Sequence, residues 1–311
     1  MSDFPAIFED SLGRPLRTGV PLSEHSSFRI GGPADYFFAA RSAQELMMAL
    51  QLARRQGLRH FVIGGGTNVL FDDSGYRGLI VKNIARGLSR PGGEPKLEAV
   101  SGTRLDELVN LAASQGLTGL EFMAGIPGTV GGAVFGNAGA FGRSIGQCLQ
   151  EAVLFDRTDR EIRVGADSLG FSYRRSSLRQ DKVVLIRAIF RLQPGEGEKI
   201  RSDMECFLEQ RKSRHPAWPA ACAGCYFKNP VRPDGSRISA GQLLEEAGAR
   251  EMSLGDAAVA SAHCNFILNK GRAKASDVLG LAEELKKKVR TRFGLELEEE
   301  VIRLAATDSM L

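Results

Sequence analysis

The chain lacks the segments that would send it to or across a membrane. Its 311 residues contain no apolar run close to the roughly 20 residues that a membrane-spanning helix needs. The opening residues, MSDFPAIFEDSLGRPLRTG, have no basic segment followed by an apolar core, so no signal peptide is predicted. Five cysteines, an odd number in a long chain without a secretory signal, are typical of reduced thiols. We therefore expect a cytoplasmic protein without membrane contact.

Strong charge of either sign is also missing. The chain has 41 lysines and arginines against 37 aspartates and glutamates, a net charge of +4, and the basic residues are spread along it. This argues weakly for an anionic small-molecule substrate and against extended nucleic-acid binding. There is no internal repeat and no low-complexity tract. The length allows two or three domains in one chain, which we expect to act as a monomer.

Glycine, by contrast, is concentrated in two places. The first glycine segment, residues 64–68, reads GGGTN, and the second, residues 124–142, reads AGIPGTVGGAVFGNAGAFG. No helix signal follows the first segment and no Walker lysine follows either, which disfavours Rossmann and P-loop sites. The apolar side chains of the second segment argue against a linker and predict a buried loop and turn. Turn glycines would explain one segment alone, whereas two favour amides that face a phosphate or a flavin.

Hydrophobic periodicity predicts an α+β chain. After an irregular lead-in over residues 1–22, we expect strands at 35–39, 60–63, 79–82, 97–100, 152–155, 161–164, 183–192 and 297–304. Predicted helices begin at the capping residues Ser42, Thr103, Ser239 and Ser276, and another covers 200–208. The strands of the middle region read as largely antiparallel. The run from Pro194 to Gly197 marks a boundary, after which the sequence changes character.

Two cysteines, Cys222 and Cys225, form a C-x-x-C pattern. They could be half of a zinc site completed by His263 and Cys264, a redox pair, or incidental. Adjacent residues on a strand point to opposite faces, so one zinc ion cannot easily take both His263 and Cys264. We predict no metal.

Two charged clusters also have more than one interpretation. The basic residues Arg211, Lys212, Arg214 and Lys228 form either a solvated face or a diphosphate site. Glu298, Glu299 and Glu300 lie between the apolar Leu297 and Val301. Strand alternation places Glu299 on the apolar face and the other two opposite, where a catalytic carboxylate must border a cleft.

Five motifs in order resemble the UDP-N-acetylenolpyruvoylglucosamine reductase family, flavoenzymes of bacterial peptidoglycan synthesis. They are SFRIGGPA at 27–34, GGGTNVL at 64–70, GIPGTVGG at 125–132 with NAGA at 137–140, YR at 173–174, and FKNP at 227–230. The resemblance covers about residues 20 to 305. It implies three domains, at residues 1–93, 94–197 and 198–311. The first two would form a two-part FAD-binding region of the vanillyl-alcohol-oxidase type, and the third a C-terminal α+β substrate domain.

The resemblance also implies a reaction. NADPH would reduce FAD, which would then deliver hydride to the enolpyruvyl group of UDP-N-acetylglucosamine enolpyruvate to form UDP-N-acetylmuramate. No histidine lies between His60 and His215, so we expect the FAD to be non-covalent. The alternatives are an alcohol-oxidising flavoenzyme of the same fold, or a non-enzymatic nucleotide-sugar or metal-binding module.

Carried over by position, the resemblance implies three catalytic residues. Arg174 would steady the enolate, Glu300 would lie beside it, and Cys225 would donate the proton. The family usually has serine at the place of Cys225. A free thiol, with a pKa of about 8.5, is a better acid than a hydroxyl but can be oxidised. A second departure is Ile302, which stands where many members have an arginine.

Binding residues follow from the same motifs. The implied FAD contacts are Arg29, Gly64, Gly65, Gly66, Thr67, Asn68, Gly125, Pro127, Gly128, Thr129, Gly131, Gly132, Asn137 and Gly139. The implied substrate contacts are Tyr173, Arg214, Lys228, Asn229 and His263. The segment before Arg211 is too short for the tyrosine-bearing insertion of some members, so the chain resembles the shorter subtype.

Overall fold

Three sheets of three or more strands organise the chain in the computed structural model, which describes residues 4–217 and 219–307. Its α-helices are α1 (Phe4–Leu12), α2 (Ala43–Arg55), α3 (Leu105–Ser114), α4 (Val130–Phe135), α5 (Leu178–Asp181), α6 (Gly197–Arg214), α7 (Ala240–Glu246) and α8 (Ala275–Phe293). Its strands are β1 (Arg17–Pro21), β2 (Pro33–Ala40), β3 (His60–Ile63), β4 (Val69–Phe71), β5 (Tyr76–Asn83), β6 (Leu88–Ser89), β7 (Lys96–Val100), β8 (Leu117–Thr118), β9 (Gly139–Ala140), β10 (Arg143–Ser144), β11 (Leu149–Phe155), β12 (Glu161–Gly165), β13 (Val184–Arg191), β14 (Gln193–Pro194), β15 (Ser253–Leu254), β16 (Ala257–Ala260), β17 (His263–Asn269) and β18 (Ile302–Leu304). Within the described residues, no helix combines the length and apolarity that a bilayer crossing requires.

The first sheet holds the first glycine segment at one end. Its strand order is β1-β2-β5-β3, and β2, β5 and β3 run parallel. Helix α2 covers it, and Ser42 caps that helix as predicted, accepting a hydrogen bond from the Glu45 amide at 3.1 Å. Strand β3 ends at Ile63, so the glycines of residues 64–66 begin where the strand leaves the sheet.

The second sheet carries the second glycine segment on its face. Its order is β12-β11-β13-β7-β6, and all of its pairings are antiparallel, as predicted. Val130 and Val134 of α4 are fully buried in the same core as α3 and β13. Helix α6 also packs on this core through Met204, Phe207 and Leu208. The second glycine segment is therefore fixed between a sheet and a long helix.

The C-terminal region is joined closely to the first one. Sheet β15-β16-β17 with α7 and α8 forms a core that includes Phe28 and Ile30 from the start of the chain. Strand β18 pairs in parallel with β4, directly after the first glycine segment. The carboxylate of Asp73 accepts hydrogen bonds from the amides of Ala275 at 2.6 Å and Ser276 at 3.1 Å, so it caps α8 from the first region.

Several local predictions were wrong. The lead-in is not irregular but forms α1 and β1, because Phe4 and Phe8 pack on the aromatic side chains of β2. The second glycine segment is not only loop, since burial of its valines outweighs the low helix propensity of glycine and forms α4. Thr103 does not cap α3 and bonds to Gly87 instead. The last strand covers only residues 302–304.

Candidate active site

The two glycine segments lie against each other. The hydroxyl of Thr67 donates to the carbonyl of Pro127 at 3.3 Å. A Cβ atom on Gly64 would lie only 2.2 Å from Oγ1 of Thr129, and one on Gly65 would lie 3.3 Å from the Cα of Gly128. The segments can approach this closely only because these positions are glycine.

Backbone amides of both segments are left free to bind a ligand. The amides of Gly65, Gly66, Thr67, Gly128 and Thr129 donate no hydrogen bond to another described residue. Gly66 and Thr129 are nevertheless buried, and a buried amide normally has an acceptor. An anionic oxygen of a bound diphosphate would supply one, so these residues fit an FAD molecule.

A tight turn carries Tyr173 and Arg174. Ser172 and Arg175 exchange two backbone hydrogen bonds of 3.1 Å, which leaves the two residues between them at the tip. Arg174 has a φ of 57°, an uncommon conformation for a residue other than glycine. Its Nη1 atom donates to the carbonyl of Gly139 at 2.8 Å, so the guanidinium touches the second glycine segment.

Arg174 meets Glu300 at the edge of the C-terminal region. Its Nε atom lies 2.7 Å from Oε1 of Glu300, and the two side chains are 22% and 20% exposed. Backbone hydrogen bonds fix the position of Glu300. Its amide donates to the carbonyl of Tyr226 at 2.8 Å, and its carbonyl accepts from Nδ2 of Asn68 at 3.2 Å. Burial raises the pKa of Glu300, whereas the charge of Arg174 acts in the opposite direction.

Cys225 lies within electrostatic reach of this pair. It is half-buried, and its backbone pairs with Phe266 of β17. Burial raises the pKa of the Cys225 thiol to about 12, the nearby Glu300 adds to this rise, and Arg174 opposes it. The thiol therefore keeps its proton at neutral pH. This pKa lies above the ordinary thiol value of about 8.5 on which the comparison with a hydroxyl was based. The role of Cys225 as proton donor stays a prediction.

A second ion cluster borders the first. Nζ of Lys228 lies 2.6 Å and Nη2 of Arg175 lies 2.9 Å from the same oxygen of Glu298. Glu299 instead faces Lys286, at 2.6 Å. Glu298 and Glu300 thus share one face and Glu299 the other, as strand alternation predicts.

Comparisons with known proteins agree with this arrangement. Residues 34–165 match the family described as FAD binding domain, and residues 215–304 match the C-terminal domain of UDP-N-acetylenolpyruvoylglucosamine reductase. The reductase of that name from Rubrobacter xylanophilus is 42% identical over 284 residues, which cover 90% of this chain and 92% of the relative. That of Clostridium novyi is 36% identical over 288 residues, 92% of this chain and 91% of the relative. The chain belongs to the UDP-N-acetylenolpyruvoylglucosamine reductase family.

A solved structure extends the likeness to the whole fold. The crystal structure of UDP-N-acetylenolpyruvylglucosamine reductase from Thermus caldophilus matches with a TM-score of 0.77 and 31% sequence identity, over 94% of this chain and 100% of that one. The predicted α+β fold, with an FAD-binding region followed by a C-terminal α+β region, is confirmed. FAD as cofactor and a flavin-dependent oxidoreductase as the enzyme class are confirmed as well.

Two of the predicted substrate residues, Tyr173 and Asn229, meet at the turn that carries Arg174. The hydroxyl of Tyr173 accepts a hydrogen bond from the Asn229 amide at 3.3 Å, and the guanidinium of Arg237 lies 3.9 Å from the centre of the Tyr173 ring. Oδ1 of Asn229 accepts from the Ala240 amide at 3.0 Å at the start of α7. That oxygen therefore fixes the local fold, and Nδ2 of Asn229 has no partner among the described residues.

His263 and Arg214 form no hydrogen bond or ion pair with Arg174 among the described residues. The His263 ring rests on Gly241, contacts the rings of His215 at 5.8 Å and Phe266 at 5.2 Å, and burial lowers its pKa. Burial, and then the charges of His263, Arg211 and Arg214, lower the pKa of His215 to about 4. Arg214 is exposed at the end of α6. His215 ends the basic run that starts at Arg211 in the sequence and was not among the predicted substrate residues.

Another basic residue of the cluster, Arg211, is bonded to the backbone, whereas Lys212 pairs with Glu209 at 2.7 Å. Arg211 donates from Nε to the carbonyl of Ala124 at 2.9 Å and from Nη2 to that of Phe122 at 3.1 Å. Burial lowers its pKa. Arg211 therefore fixes the beginning of the second glycine segment, a role that a charge pattern alone does not reveal.

Arg29 belongs to a group of strained positions. It is exposed and has a φ of 57°. It lies two residues after Ser27, whose amide donates to the carbonyl of Gly66 at 3.0 Å. Asn137 and Arg174 also have positive φ. Such conformations are costly and concentrate at functional sites. Within the described residues, no three or more His, Cys, Asp or Glu side chains form a group that could hold a metal ion.

Proposed function

We propose that the chain reduces the enolpyruvyl group of UDP-N-acetylglucosamine enolpyruvate to UDP-N-acetylmuramate in peptidoglycan synthesis. NADPH supplies the electrons, and bound FAD supplies the hydride transfer between the two substrates. One observation carries the proposal: a guanidinium, a carboxylate and a protonated thiol converge beside two glycine segments that leave amides free. The first three act on the substrate, and the segments hold the cofactor.

The glycine segments would hold FAD without a covalent link. The free amides of Gly66 and Thr129 would donate to its diphosphate, with Thr67 and Asn68 at the open edge. The further FAD contacts that we propose come from the same segments and from the strained turn before them: Arg29, Gly64, Gly65, Gly125, Pro127, Gly128, Gly131, Gly132 and Gly139. None of these positions offers an acid, a base or a nucleophile, so the segments bind and do not react.

Arg174 and Glu300 act on the charge that develops during reduction. Hydride addition to the β-carbon of the enolpyruvyl group moves an electron pair to the α-carbon and its carboxylate. The guanidinium of Arg174 is placed to stabilise that charge. Glu300 orients Arg174 through their 2.7 Å contact.

Cys225 completes the reduction by donating a proton. The thiol transfers its proton to the α-carbon, and the thiolate regains one from solvent. A thiol with a pKa of about 12 is a weak acid, but an enolate carbon is a much stronger base, so the transfer remains downhill. Because its pKa is raised, the thiol is also protonated before each turnover.

The substrate is bound by residues around this corner. We propose contacts from Tyr173, Arg214, Lys228, Asn229 and His263. Lys228 is only 13% exposed and shares Glu298 with Arg175, so the two cations outnumber the carboxylate and favour an anionic group.

Organisation and setting follow from the same arrangement. We propose domains at residues 1–93, 94–197 and 198–311, because each range contains most of one of the three larger sheets. Only the edge strand β6 of the second sheet falls in the first range. We propose a monomer as the functional unit, located in the cytoplasm, where NADPH is available. Light scattering after size exclusion would detect a dimer and contradict the monomer.

The function is tested on the purified protein. It should be yellow, release FAD on acid treatment, lose its colour with NADPH in the absence of oxygen, and regain it on addition of UDP-N-acetylglucosamine enolpyruvate. A colourless protein that contains zinc would overturn the proposal. Recovery of colour with an alcohol-derived carbonyl compound, and not with the enolpyruvyl substrate, would assign a different flavoenzyme activity.

A further inference from the structure

Asn137 has both ends of its side chain engaged inside the protein. It is 5% exposed, with a φ of 45°. Nδ2 donates to the carbonyl of Ser172 at 2.8 Å, and Oδ1 accepts from the amide of Gly146 at 3.1 Å. A buried amide with these two partners has one N–H left to offer a ligand. This is a poor arrangement for a cofactor contact and a good one for a clamp.

What Asn137 clamps is the turn that carries Arg174. Ser172 is the first residue of that turn and is bonded twice to Arg175, so its carbonyl sets where the tip lies. The same glycine segment touches the tip as well, because Gly139 accepts from Nη1 of Arg174 at 2.8 Å. The hydroxyl of Ser176 bonds to the carbonyl of Phe135 at 2.7 Å on the other flank. The turn is thus fixed to the second glycine segment at its base and at its tip.

We propose that Asn137 is a positioning residue for Arg174 and not a ligand of FAD, an inference that rests on the function proposed above. Without the Nδ2 donor, the Ser172 carbonyl loses its partner and the turn is free to shift. A displacement of about 1 Å in a group that stabilises developing charge can slow a reaction on the order of a hundredfold. The position of Arg174 relative to Glu300 therefore depends on a side chain that never touches the substrate.

The test uses Asn137→Asp in the FAD-loaded enzyme. Aspartate keeps an oxygen for the Gly146 amide, but it removes the donor to Ser172 and places negative charge against that carbonyl. We expect the NADPH-reduced enzyme to convert one equivalent of substrate at least about tenfold more slowly, with kcat lowered and KM little changed. The Kd for FAD and the rate of reduction by NADPH should stay within about twofold of wild type.

Asn83 provides a matched control. It is another buried amide of the cofactor-binding region, with Nδ2 donating to Ser101 at 2.8 Å and Oδ1 accepting from the Ala85 amide at 3.1 Å. Among the residues that the structure describes, it forms no hydrogen bond with the Arg174 turn. Asn83→Asp should leave the rate of substrate conversion within about twofold of wild type even if it lowers thermal stability.

A double variant decides whether Asn137 acts through Arg174. In an Arg174→Ala background, Asn137→Asp should slow substrate conversion by less than about twofold, since no guanidinium remains to be positioned. A further tenfold loss in that background, or a weaker Kd for FAD, would overturn the inference. If Arg174→Ala alone leaves conversion unchanged, the proposed role of Arg174 fails and this inference fails with it. Should Asn137→Asp not fold, Asn137→Gly, which suits a positive φ, makes the same test.

Discussion

The two glycine segments and the corner formed by Arg174, Glu300 and Cys225 are built in different ways. The segments present backbone amides, and residues 124–142 contain no charged side chain at all. The corner consists of side chains from three distant parts of the chain, each with a different charge behaviour. One part of the molecule can therefore hold a cofactor and the other perform chemistry, with little overlap in the groups that they use.

The glycine segments and the corner differ in the kind of contact that they can offer, although they touch each other. Asn68 of the first glycine segment donates to the carbonyl of Glu300 at 3.2 Å, and Gly139 of the second accepts from Arg174 at 2.8 Å. The segments thus also serve as a frame for the reacting groups. A variant at the corner should affect the reaction alone, whereas a variant at a glycine of either segment should affect the cofactor first. Asn137 is the exception within the second segment, because its side chain fixes the Arg174 turn.

The largest effect is expected at the proton donor. Cys225→Ala should lower kcat about 10²- to 10⁴-fold, the range for loss of a general acid, while NADPH still removes the flavin colour at the normal rate. Stopped-flow absorbance measures the two half-reactions separately. Wild-type turnover in this variant would remove Cys225 from the mechanism.

The raised pKa of Cys225 adds a pH signature. Because the folded pKa lies near 12, the thiol stays protonated between pH 7 and 9, and the rate of substrate conversion should not fall in that range through loss of its proton. The control is Cys225→Ser, which keeps a protonated donor and should recover part of the activity. Rapid alkylation of Cys225 by iodoacetamide at pH 8, comparable to that of the exposed Cys206, would contradict a raised pKa.

A smaller loss is expected when the cation of the corner is removed. Arg174→Ala should lower kcat about 10²- to 10³-fold, because charge that develops in the transition state loses its stabilising donor. The Kd for FAD should remain unchanged. Steady-state kinetics and flavin titration check these outcomes, and an effect confined to KM would instead indicate simple substrate binding.

Arg54 offers a matched comparison for Arg174. Its Nη1 atom lies 2.8 Å from Asp159, and the Arg54 side chain is 18% exposed, so it too is a half-buried arginine in an ion pair. It lies outside the proposed site. Arg54→Ala should destabilise the fold without slowing either half-reaction, and a similar loss of kcat in both variants would show that stability, not chemistry, explains Arg174→Ala.

The cofactor side of the comparison is tested at Gly66. A Cβ atom there would lie 2.0 Å from the carbonyl oxygen of His25, at a φ of +64°. Gly66→Ala must therefore displace the first glycine segment, and we expect the Kd for FAD to rise at least about tenfold, or about 1.4 kcal/mol. Fluorescence titration of the apoprotein with FAD measures this.

Gly57 is the control that separates the effect of backbone strain from that of displacing the first glycine segment. It has nearly the same φ, +61°, but a Cβ atom on it would meet nothing within 4 Å. Gly57→Ala should cost some stability through its backbone conformation and leave the Kd for FAD unchanged. Equal loss of FAD binding in both variants would contradict the role given to the first glycine segment.

The same contrast explains what could be predicted from the sequence. A backbone site leaves its mark locally, so the strand that follows the first glycine segment in place of a Rossmann helix, and the alternation at Glu299, were predicted correctly. The binding of FAD by the glycine segments stays a prediction. The corner depends on long-range packing. Three features depend on residues that are distant in the sequence: the hydrogen-bond partners of Arg211, the cap that Asp73 provides to α8, and the pKa of Cys225. No local sequence pattern predicts them. Helix α4 was missed for the same reason, since burial of Val130 and Val134 overrides glycine propensity.

The smallest effect is expected where the C-terminal region is capped on the first one. Asp73→Ala removes the acceptor for the amides of Ala275 and Ser276 and should lower the free energy of unfolding by about 1 kcal/mol, the usual value of a helix cap. Ser239→Ala, which removes the local cap of α7, should cost a similar amount and serves as the control. Both variants should bind FAD normally, because the pairing of β18 with β4 still holds Glu300 beside Asn68. A tenfold weaker affinity for FAD in Asp73→Ala alone, measured by the same titration, would mean that the C-terminal region and the FAD site are coupled through this cap. The division between segments that bind the cofactor and a corner that reacts with the substrate would then be wrong.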